Sequence, residues 1–167
     1  MDVQPFSRSR SGYSLIEVMI ALLILSIGML GVGGMVLGAS KDTRGAFYRT
    51  KAVALAWDMA ERIRANRTAG IAYAVDQTGD GTDNSCSASS TNATPLACTV
   101  ESLAAHDIFE WKTALVDKER GLPQGMGSIE FNNATSPPTY TITVNWSDGI
   151  VEADTEGAPS VSVVTQL

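Results

Sequence analysis

An uncharged apolar run near the N-terminus constrains this chain of 167 residues more than any other feature. The run extends from Val18 to Ala39 and contains 22 residues without one charged side chain. At about 1.5 Å of rise per residue, a helix of this length crosses a hydrocarbon core of roughly 30 Å. The run therefore predicts a membrane span that anchors the rest of the chain.

The charges of the chain are divided unevenly along its length. The formal net charge of −6 combines +1 for residues 1–12, −1 for residues 13–40, +4 for residues 41–67 and −10 for residues 68–167. Since phosphate binding requires clustered Lys and Arg, the acidic C-terminal part argues against a nucleic-acid partner. The basic segment also contains Asp42, Asp58 and Glu61, and this mixture is typical of a solvated helix face near the membrane.

The residues in front of the apolar run distinguish it from an ordinary secretory signal. The first twelve residues are short and polar, and Arg8 and Arg10 favour a cytoplasmic N-terminus. An ordinary signal is cleaved after its apolar stretch, but this run is long for such a stretch. The run is preceded instead by Gly12 and by the residues Tyr13-Ser14-Leu15-Ile16-Glu17.

Glu17 places a carboxylate at the start of this apolar segment, where it is costly in lipid. Insertion scales assign about 2.5 to 3.5 kcal/mol to an acidic residue near a helix centre, and less near its end. Cleavage after Gly12 would create an α-amine on Tyr13, one helical turn from the Glu17 carboxylate. Pairing of the two groups, within one chain or between neighbours, would neutralise both.

The string GYSLIEVMIALLILSIGMLGV resembles the class III signal of type IV prepilins and pseudopilins. The resemblance implies that a prepilin peptidase cuts after the glycine and N-methylates the new first residue. Tyr13 and Ser14 stand where the family most often has Phe and Thr. The resemblance assigns processing to Gly12 and Tyr13, and assembly to Leu15, Ile16 and Glu17. It implies three parts: a prepilin leader peptide, 1–12, a transmembrane and assembly helix, 13–40, and a periplasmic globular domain, 41–167.

Two helices are predicted after the apolar run. Apolar residues recur at helical spacing from Lys41 to Thr68, so the anchor helix is expected to continue as an amphipathic helix. Its apolar positions are Ala52, Leu55, Ala56, Met59 and Ile63. Asp58 is expected to pair with Arg62 along the surface of this helix. A second helix is predicted from Val100 to Glu119. One face of that helix carries Ala104, Ile108, Trp111 and Leu115.

The C-terminal part shows the two-residue alternation of β-strands. Strands are predicted at 128–131 and 139–146 as a hairpin with a long loop, and near 160–165 as a third strand. The expected fold class is α+β, the type IV pilin-like fold, in which a long N-terminal helix packs on a small antiparallel sheet. An extra helix and a disulfide-tied loop complete it. The segment ALAWDMAERIRAN, LPQGMG and the strand end Asn145-Trp146 resemble PilV-type minor pilins.

Cys86 and Cys98 lie in the polar, turn-rich stretch 76–98. An even cysteine count in an exported segment favours a disulfide because the periplasm is oxidising. Such a bond would stabilise the fold by roughly 3 kcal/mol in the chain-entropy model. Two free thiols are the alternative, and a metal site is disfavoured.

The stretch 76–98 also faintly resembles a calcium loop, although Thr78 replaces an acidic ligand and no Glu follows at the required position. The residues of that resemblance are Asp76, Asp80, Gly81 and Asp83.

No enzyme class is indicated by the sequence. Hydrolytic chemistry needs a base near a nucleophile or metal, and the one imidazole is His106, beside Asp107 on the predicted second helix. An exposed or capping position is expected for that histidine. No catalytic residue, metal site or organic cofactor is predicted.

The resemblance implies a minor pilin of a type IV pilus, most similar to the PilV type, that lies at or near the filament tip and helps to prime assembly. The implied partners are other minor pilins, the major pilin, prepilin peptidase, the inner membrane and a tip adhesin. The implied location is the bacterial inner membrane, as a single-pass protein with a cytoplasmic N-terminus and a periplasmic C-terminal domain, and the pilus. The alternatives are a minor pseudopilin of type II secretion and an adhesin-type head that binds a ligand through the loop 76–98.

Overall fold

The computed structural model describes residue 12, residues 14–86 and residues 97–166. The helices of these residues are α1, Leu15–Ala65, a 3-10 helix, Arg67–Tyr73, and α2, Val100–Val116. The strands are β1, Met126–Asn132, β2, Thr139–Asn145, and β3, Ser160–Gln166. The chain divides into two compact units, Met1–Thr43 and Arg44–Leu167, which are described separately.

In the first unit, α1 presents apolar side chains with nothing packed over them. Every side chain described from Ser14 to Thr43 is exposed, with exposures of 80% at Leu15 and 78% at Leu30. The helix is long and apolar enough to cross a membrane by length and composition. The helix is continuous through the five glycines of this segment, which are Gly28, Gly31, Gly33, Gly34 and Gly38.

In the second unit, the C-terminal half of α1 buries one face. Its buried residues are Ala52, Ala56, Met59, Ala60 and Ile63, a spacing of three and four that follows the helical repeat. Leu55 is partly buried against the same core. These residues share one core cluster with buried residues of α2 and the sheet, so the expected amphipathic continuation of the anchor helix is confirmed.

The three strands form one antiparallel sheet in the order β1-β2-β3. The register pairs Ile129 with Ile142 and Ile142 with Val163, so these apolar residues lie in one row on the core face. Tyr140 and Val144 flank that row and are fully buried, while the alternate positions of β2 are threonines. Alternation with a period of two places polar residues on the other face, which confirms the expected sheet.

The helix α2 ends earlier than the sequence suggested. It stops at Val116 rather than at Glu119 because Asp117 takes a non-helical backbone conformation. The Asp117 carboxylate then accepts the backbone N–H groups of Glu119 and Arg120, at 3.0 and 2.6 Å. An Asp side chain that caps its own following residues competes with helix hydrogen bonds. The apolar face of α2 agrees with the prediction, since Ala104, Ile108, Trp111 and Leu115 are all buried.

Two further features join the elements of the second unit. The 3-10 helix was not predicted; it contains Gly70 at a φ of 54°, a conformation open mainly to glycine, and the Gly70 carbonyl accepts the hydroxyl of Tyr140 at 2.7 Å. Cys86 and Cys98 form a disulfide bond, so the expected disulfide-tied segment is confirmed. The residues at 87–96, between the two cysteines, lie outside the described residues.

Candidate functional site

The N-terminal end of α1 carries the residues that the sequence assigned to assembly. The helix begins at Leu15, and the Ser14 carbonyl accepts the N–H groups of Glu17 and Val18 at 3.0 and 3.4 Å. Leu15, Ile16 and Glu17 therefore lie in the first helical turn, and all three are exposed. An acidic residue in this turn is favoured by the positive end of the helix dipole.

Gly12 lies just before this helix and is sterically open. A side chain built at Gly12 would meet no described atom within 4 Å. A protease that cleaves after a glycine needs an accessible, extended or irregular backbone, and the position of Gly12 outside α1 meets this need. Tyr13, the predicted first residue after cleavage, lies outside the described residues.

Glu17 has no charged partner in the part of the chain that the structure describes. None of the ion pairs among the described residues includes it. A carboxylate in an apolar helix requires neutralisation in a low-dielectric medium. The isolated chain therefore presents an anionic group whose partner must come from the N-terminal residues or from another molecule.

In the second unit, Arg62 lies at the centre of a polar network between α1 and α2. Its Nε donates to Asp58 Oδ2 at 3.0 Å, the pairing along the helix surface that was predicted. Its Nη1 donates to Asp107 Oδ1 at 3.1 Å and to Glu110 Oε2 at 2.8 Å on α2. Burial alone would lower the pKa of Arg62, but hydrogen bonds to Glu110 and the neighbouring carboxylates raise it instead. The guanidinium is therefore fixed in its charged form.

The same network extends into the 3-10 helix through Tyr73. The buried Tyr73 hydroxyl donates to Asp107 Oδ2 at 2.5 Å, and Asn66 Nδ2 donates to that hydroxyl oxygen at 3.3 Å. Asn66 Nδ2 also donates to the Val100 carbonyl at 2.9 Å, which ties the end of α1 to the start of α2. Burial and the hydrogen bond to Asp107 raise the pKa of Tyr73. These contacts hold three helical elements in one arrangement.

We expected His106 to be exposed or to cap a helix, and this prediction is wrong. Its side chain is 1% exposed and lies between two carboxylates, with Nδ1 3.3 Å from Asp83 Oδ1 and Nε2 3.3 Å from Glu110 Oε1. Glu110 is thereby shared between His106 and Arg62. The histidine therefore links α2 to the segment that leads into Cys86.

Two side chains of the stretch that faintly resembles a calcium loop, Asp76 and Asp83, accept hydrogen bonds from backbone N–H groups. Asp76 Oδ1 accepts the N–H groups of Thr78 and Gly79, and hydrogen bonds with Thr78 and Gly79 lower the pKa of Asp76. Asp83 Oδ1 accepts the N–H of Ser85 at 2.9 Å. Within the described residues, no group of three or more His, Cys, Asp or Glu side chains is placed to hold a metal ion.

Beside this segment, a pocket of about 660 Å³ lies between α2, the residues after Val75, the turn before β1 and residues 152–154. Lys112 lines it, although the residue is only 8% exposed. Lys112 Nζ donates to the carbonyls of Asp76 and Gln77 at 2.8 and 2.9 Å, and burial lowers the pKa of the ammonium group. The sequence did not identify this pocket, because its walls come from four separate parts of the chain.

Comparison with protein families finds two matches that follow one another along the chain. Residues 7–33 match the prokaryotic N-terminal methylation motif. Residues 34–109 match a family described as type IV pilin Tt1218. No curated protein and no solved structure matches the chain.

Proposed function

We infer that this chain, pilin-like in sequence over residues 34–109 and carrying a methylation motif over residues 7–33, acts as a minor pilin of a type IV pilus. A type IV pilin is a structural subunit that is processed by prepilin peptidase and assembles with other pilins. The finer assignment, a PilV-type subunit at or near the filament tip that helps to prime assembly, is our proposal. No catalytic activity is proposed.

The observation that carries this proposal is the exposed apolar half of α1. Its large side chains from Leu15 to Leu37 are between 49% and 80% exposed, with no packing partner among the described residues. Apolar surface on this scale must be covered by lipid or by other proteins. The small residues among them permit close contact between helices in a membrane. A helix that is first held in lipid and then packed with similar helices satisfies both requirements.

We propose the division suggested by the sequence: leader 1–12, transmembrane and assembly helix 13–40, and periplasmic domain 41–167. Prepilin peptidase is proposed to cut between Gly12 and Tyr13 and to methylate the amine of Tyr13. Support comes from the open position of Gly12, immediately before the start of α1. The intact mass of the membrane-extracted protein tests this cleavage; a mature form that retains residues 1–12 would contradict it.

The orientation is proposed from the methylation motif and the disulfide rather than from charge, because basic residues flank the apolar run on both sides. Arg8 and Arg10 precede the run, and residues 41–67 after it carry a net charge of +4. The disulfide between Cys86 and Cys98 suits a periplasmic domain, since disulfides form in that compartment. The proposed location is therefore the inner membrane before assembly and the pilus after it.

The experiment that tests the function compares a strain lacking this protein with the same strain complemented by the wild-type chain. We expect fewer surface pili in the deletion strain, near-normal pilus length once a filament starts, and antibody labelling of the wild-type protein at filament tips. Uniform labelling along the filament would contradict a minor tip role. Normal piliation with loss of a secreted protein would instead favour the alternative, a minor pseudopilin of type II secretion.

The adhesin alternative makes a separate prediction. A head that binds a ligand through the loop 76–98 would be dispensable for filament formation but required for attachment. We therefore expect the deletion strain to lose pili and attachment together. Normal pilus numbers with lost attachment would favour the adhesin and contradict a priming role.

A further inference from the structure

The two edges of the sheet differ in how the rest of the chain protects them. At the β1 edge, Val75 and Ile129 exchange backbone hydrogen bonds at 3.0 and 2.8 Å, and the exposed charge of Glu130 follows. At the other edge, β3 pairs with β2 on one side, and no described residue pairs with its second side. Proteins usually protect an edge strand with charged residues, proline or a bulge. β3 contains neither a charged residue nor a proline, and its register with β2 is continuous.

The alternation of an antiparallel ladder determines which backbone groups of β3 point outward. Because Ile129 uses its N–H and C=O at the outer side of β1, its partner Ile142 directs its own groups to Val163 of β3. The hydrogen bond from the Trp146 N–H to the Pro159 carbonyl, 3.1 Å long, follows the same alternation. The four alternate residues of β3 therefore direct N–H and C=O away from β2, and their side chains are exposed. We call these residues the β3 edge: Ser160, Ser162, Val164 and Gln166.

The β3 edge is complementary to a second copy of itself. Its four residues are spaced evenly about Val163. Two copies of β3 that run antiparallel about this residue place Ser160 opposite Gln166 and Ser162 opposite Val164, so every outward N–H and C=O meets a partner. A shift of two residues leaves one outward residue of each strand unpaired, and a shift of one residue places outward groups opposite inward ones. One register therefore satisfies the whole edge.

The side chains and charges around β3 agree with this register. Val161 and Val163 are half-buried against the core. In the symmetric pair Val163 meets its own copy and Val161 meets Thr165, so uncharged β-branched side chains face each other. The strands follow the loop 147–159, which carries four acidic residues. Antiparallel pairing holds the starts of the two strands roughly 20 Å apart, well beyond the screening length of about 8 Å at physiological ionic strength.

We propose that the β3 edge pairs with the β3 edge of a second copy of this chain, antiparallel about Val163, and joins two three-stranded sheets into one continuous sheet. An extended backbone is the partner that a row of outward N–H and C=O groups recognises. The symmetric spacing and the lack of charge on β3 identify a second β3 as that backbone. The inference goes beyond the proposed function and does not depend on it.

The test introduces single cysteines into β3 of the full-length chain, purified in mild detergent and treated with a mild oxidant. Val163→Cys lies at the symmetric position, where opposed Cα atoms are about 4.5 Å apart and a disulfide can form. Val161→Cys is the matched control, because it lies on the same face of the same strand and is also half-buried. In the symmetric pair it is about 14 Å from its own copy. A mixture of Ser160→Cys and Gln166→Cys chains tests the ends of the paired strands.

We expect Val163→Cys to give covalent dimers in roughly fivefold or greater yield than Val161→Cys. The mixture of Ser160→Cys and Gln166→Cys should give heterodimers, whereas neither chain alone should dimerise. The intact mass confirms that the bond between Cys86 and its partner is retained in every chain.

Two charge variants in the Val163→Cys chain test the register itself. Ser162→Lys with Val164→Lys places like charges opposite each other across the pair, and the dimer yield should fall by roughly fivefold or more. Ser162→Lys with Val164→Glu places opposite charges there, and the yield should remain at the level of the parent chain. All these side chains are exposed, so equal melting temperatures are expected and show that the variants fold.

Three outcomes overturn the inference. The first is an equal dimer yield from Val163→Cys and Val161→Cys, and the second is an equal loss of dimer in the two charge variants. The third is capture of a strand from another protein by Val163→Cys in cells, in place of a second copy. None of these results bears on the proposed function, because pilus numbers in the deletion strain test that function separately.

Discussion

A single guanidinium joins the two long helices of the second unit. The Arg62 side chain is 29% exposed and contacts three carboxylates of different exposure: Asp58 at 53%, Asp107 at 12% and Glu110 at 20%. A charge pair that is shielded from water loses much when one partner is removed, whereas an exposed pair loses little. The three carboxylates around Arg62 should therefore contribute unequally to stability.

Asp107→Ala is expected to reduce the free energy of unfolding by about 2 to 4 kcal/mol, because it leaves both the guanidinium and the Tyr73 hydroxyl without their buried partner. Asp58→Ala removes a carboxylate from the same Arg62 and is expected to cost about 0.5 kcal/mol or less, since that pair is exposed. Urea unfolding of the full chain in mild detergent, followed by tryptophan fluorescence, measures both. Equal losses in the two variants would contradict the assigned role of Asp107.

Ionisation of the Tyr73 phenol is expected to lower the stability of the fold at alkaline pH. Burial and the hydrogen bond to Asp107 raise the pKa of Tyr73 above its ordinary value of about 10. When folding raises the pKa of a group, the group stabilises the fold at pH values below its pKa in the unfolded state. That contribution is lost as the pH rises through its pKa in the folded state. We therefore expect this stabilising contribution to decline from about pH 10 upwards.

Tyr73→Phe is the variant that isolates this effect. It should be less stable than the wild type by about 1 to 2 kcal/mol at neutral pH, and its stability should fall less steeply above about pH 10. Every other titratable group is common to both chains, so the difference between the two curves reports Tyr73. Tyr48→Phe serves as the control, and an alkaline slope of Tyr73→Phe identical to that of the wild type would contradict the prediction.

At the residue scale, local pairs could be predicted from the sequence and distant ones could not. Helical spacing correctly suggested that Asp58 pairs with Arg62. Asp107 and Glu110 follow Arg62 by 45 and 48 residues, and no local rule connects them. His106 was misjudged for the same reason, because Asp83 reaches it from a loop. Its spacing of four from Glu110 on one helix was the one available signal.

At the element scale, α1 shows one helix with two kinds of surface. Its N-terminal half exposes apolar residues on all sides, while its C-terminal half buries one apolar face and leaves Phe47 and Trp57 59% and 45% exposed. A helix that is apolar all round suits lipid or a bundle of helices, and a helix with one apolar stripe suits packing on a sheet. This change of pattern was visible in the sequence because both patterns are local.

Replacing glycine by alanine is expected to have opposite effects on stability at Gly127 and at Gly45. A Cβ at Gly127 in β1 would lie 2.3 Å from Trp111 Cη2 and 2.7 Å from Leu115 Cδ1, so α2 could not pack as closely on the sheet. Gly127→Ala is therefore expected to destabilise the second unit by about 1 to 3 kcal/mol. A Cβ at Gly45 in α1 meets nothing within 4 Å, so Gly45→Ala is expected to stabilise the helix by up to about 1 kcal/mol.

Thermal unfolding of the full chain in detergent measures both glycine variants side by side. The melting temperature should fall for Gly127→Ala and rise or remain unchanged for Gly45→Ala. A Gly127→Ala chain as stable as the wild type would mean that the contact between α2 and β1 is looser than described.

The elements themselves were predicted well where periodicity was strong. The three strands and the buried face of α2 follow directly from alternation and helical spacing. The end of α2 and the 3-10 helix were not predicted, because they depend on the Asp117 cap and on the positive φ of Gly70. Such features arise from single hydrogen bonds and backbone angles that a hydrophobic pattern does not report. The pocket beside Lys112 was not predicted either, because its walls come from four separate parts of the chain.

At the scale of the whole molecule, the exposed apolar half of α1 takes no part in the described core of the second unit. The core of the second unit contains no residue before Arg44, and the ion pairs of the described residues all lie within that unit. Changes at the start of α1 should therefore leave the folded domain intact. Their effect should fall on interactions with other molecules.

Glu17→Ala is the substitution that tests this separation. It removes a carboxylate that is costly in lipid, so membrane insertion should be at least as efficient as in the wild type. Stability of the second unit should be unchanged, because Glu17 belongs neither to the described core of that unit nor to its ion pairs. Assembly should fail, since the carboxylate is proposed to pair with the N-terminal amine of a neighbouring subunit, and attraction between charges is far stronger at low dielectric than in water. We expect processed, inserted protein that is depleted by about tenfold or more from sheared pili, the ratio that corresponds to about 1.4 kcal/mol.

Glu101→Ala is the matched control for Glu17→Ala, because Glu101 is also an acidic residue in the first turn of a helix but belongs to the folded domain. It should enter pili as the wild type does.

Three measurements distinguish the possible roles of Glu17: the intact mass reports cleavage, membrane flotation reports insertion, and the sheared fraction reports assembly. If Glu17→Ala remains uncleaved, the carboxylate serves the peptidase. If it is cleaved and enters pili at the wild-type level, the amine partner of Glu17 lies in its own chain or is dispensable, and an intersubunit role is refuted. Cleavage and insertion combined with loss from pili leave only pairing between subunits, because the folded domain and the anchor are then both intact.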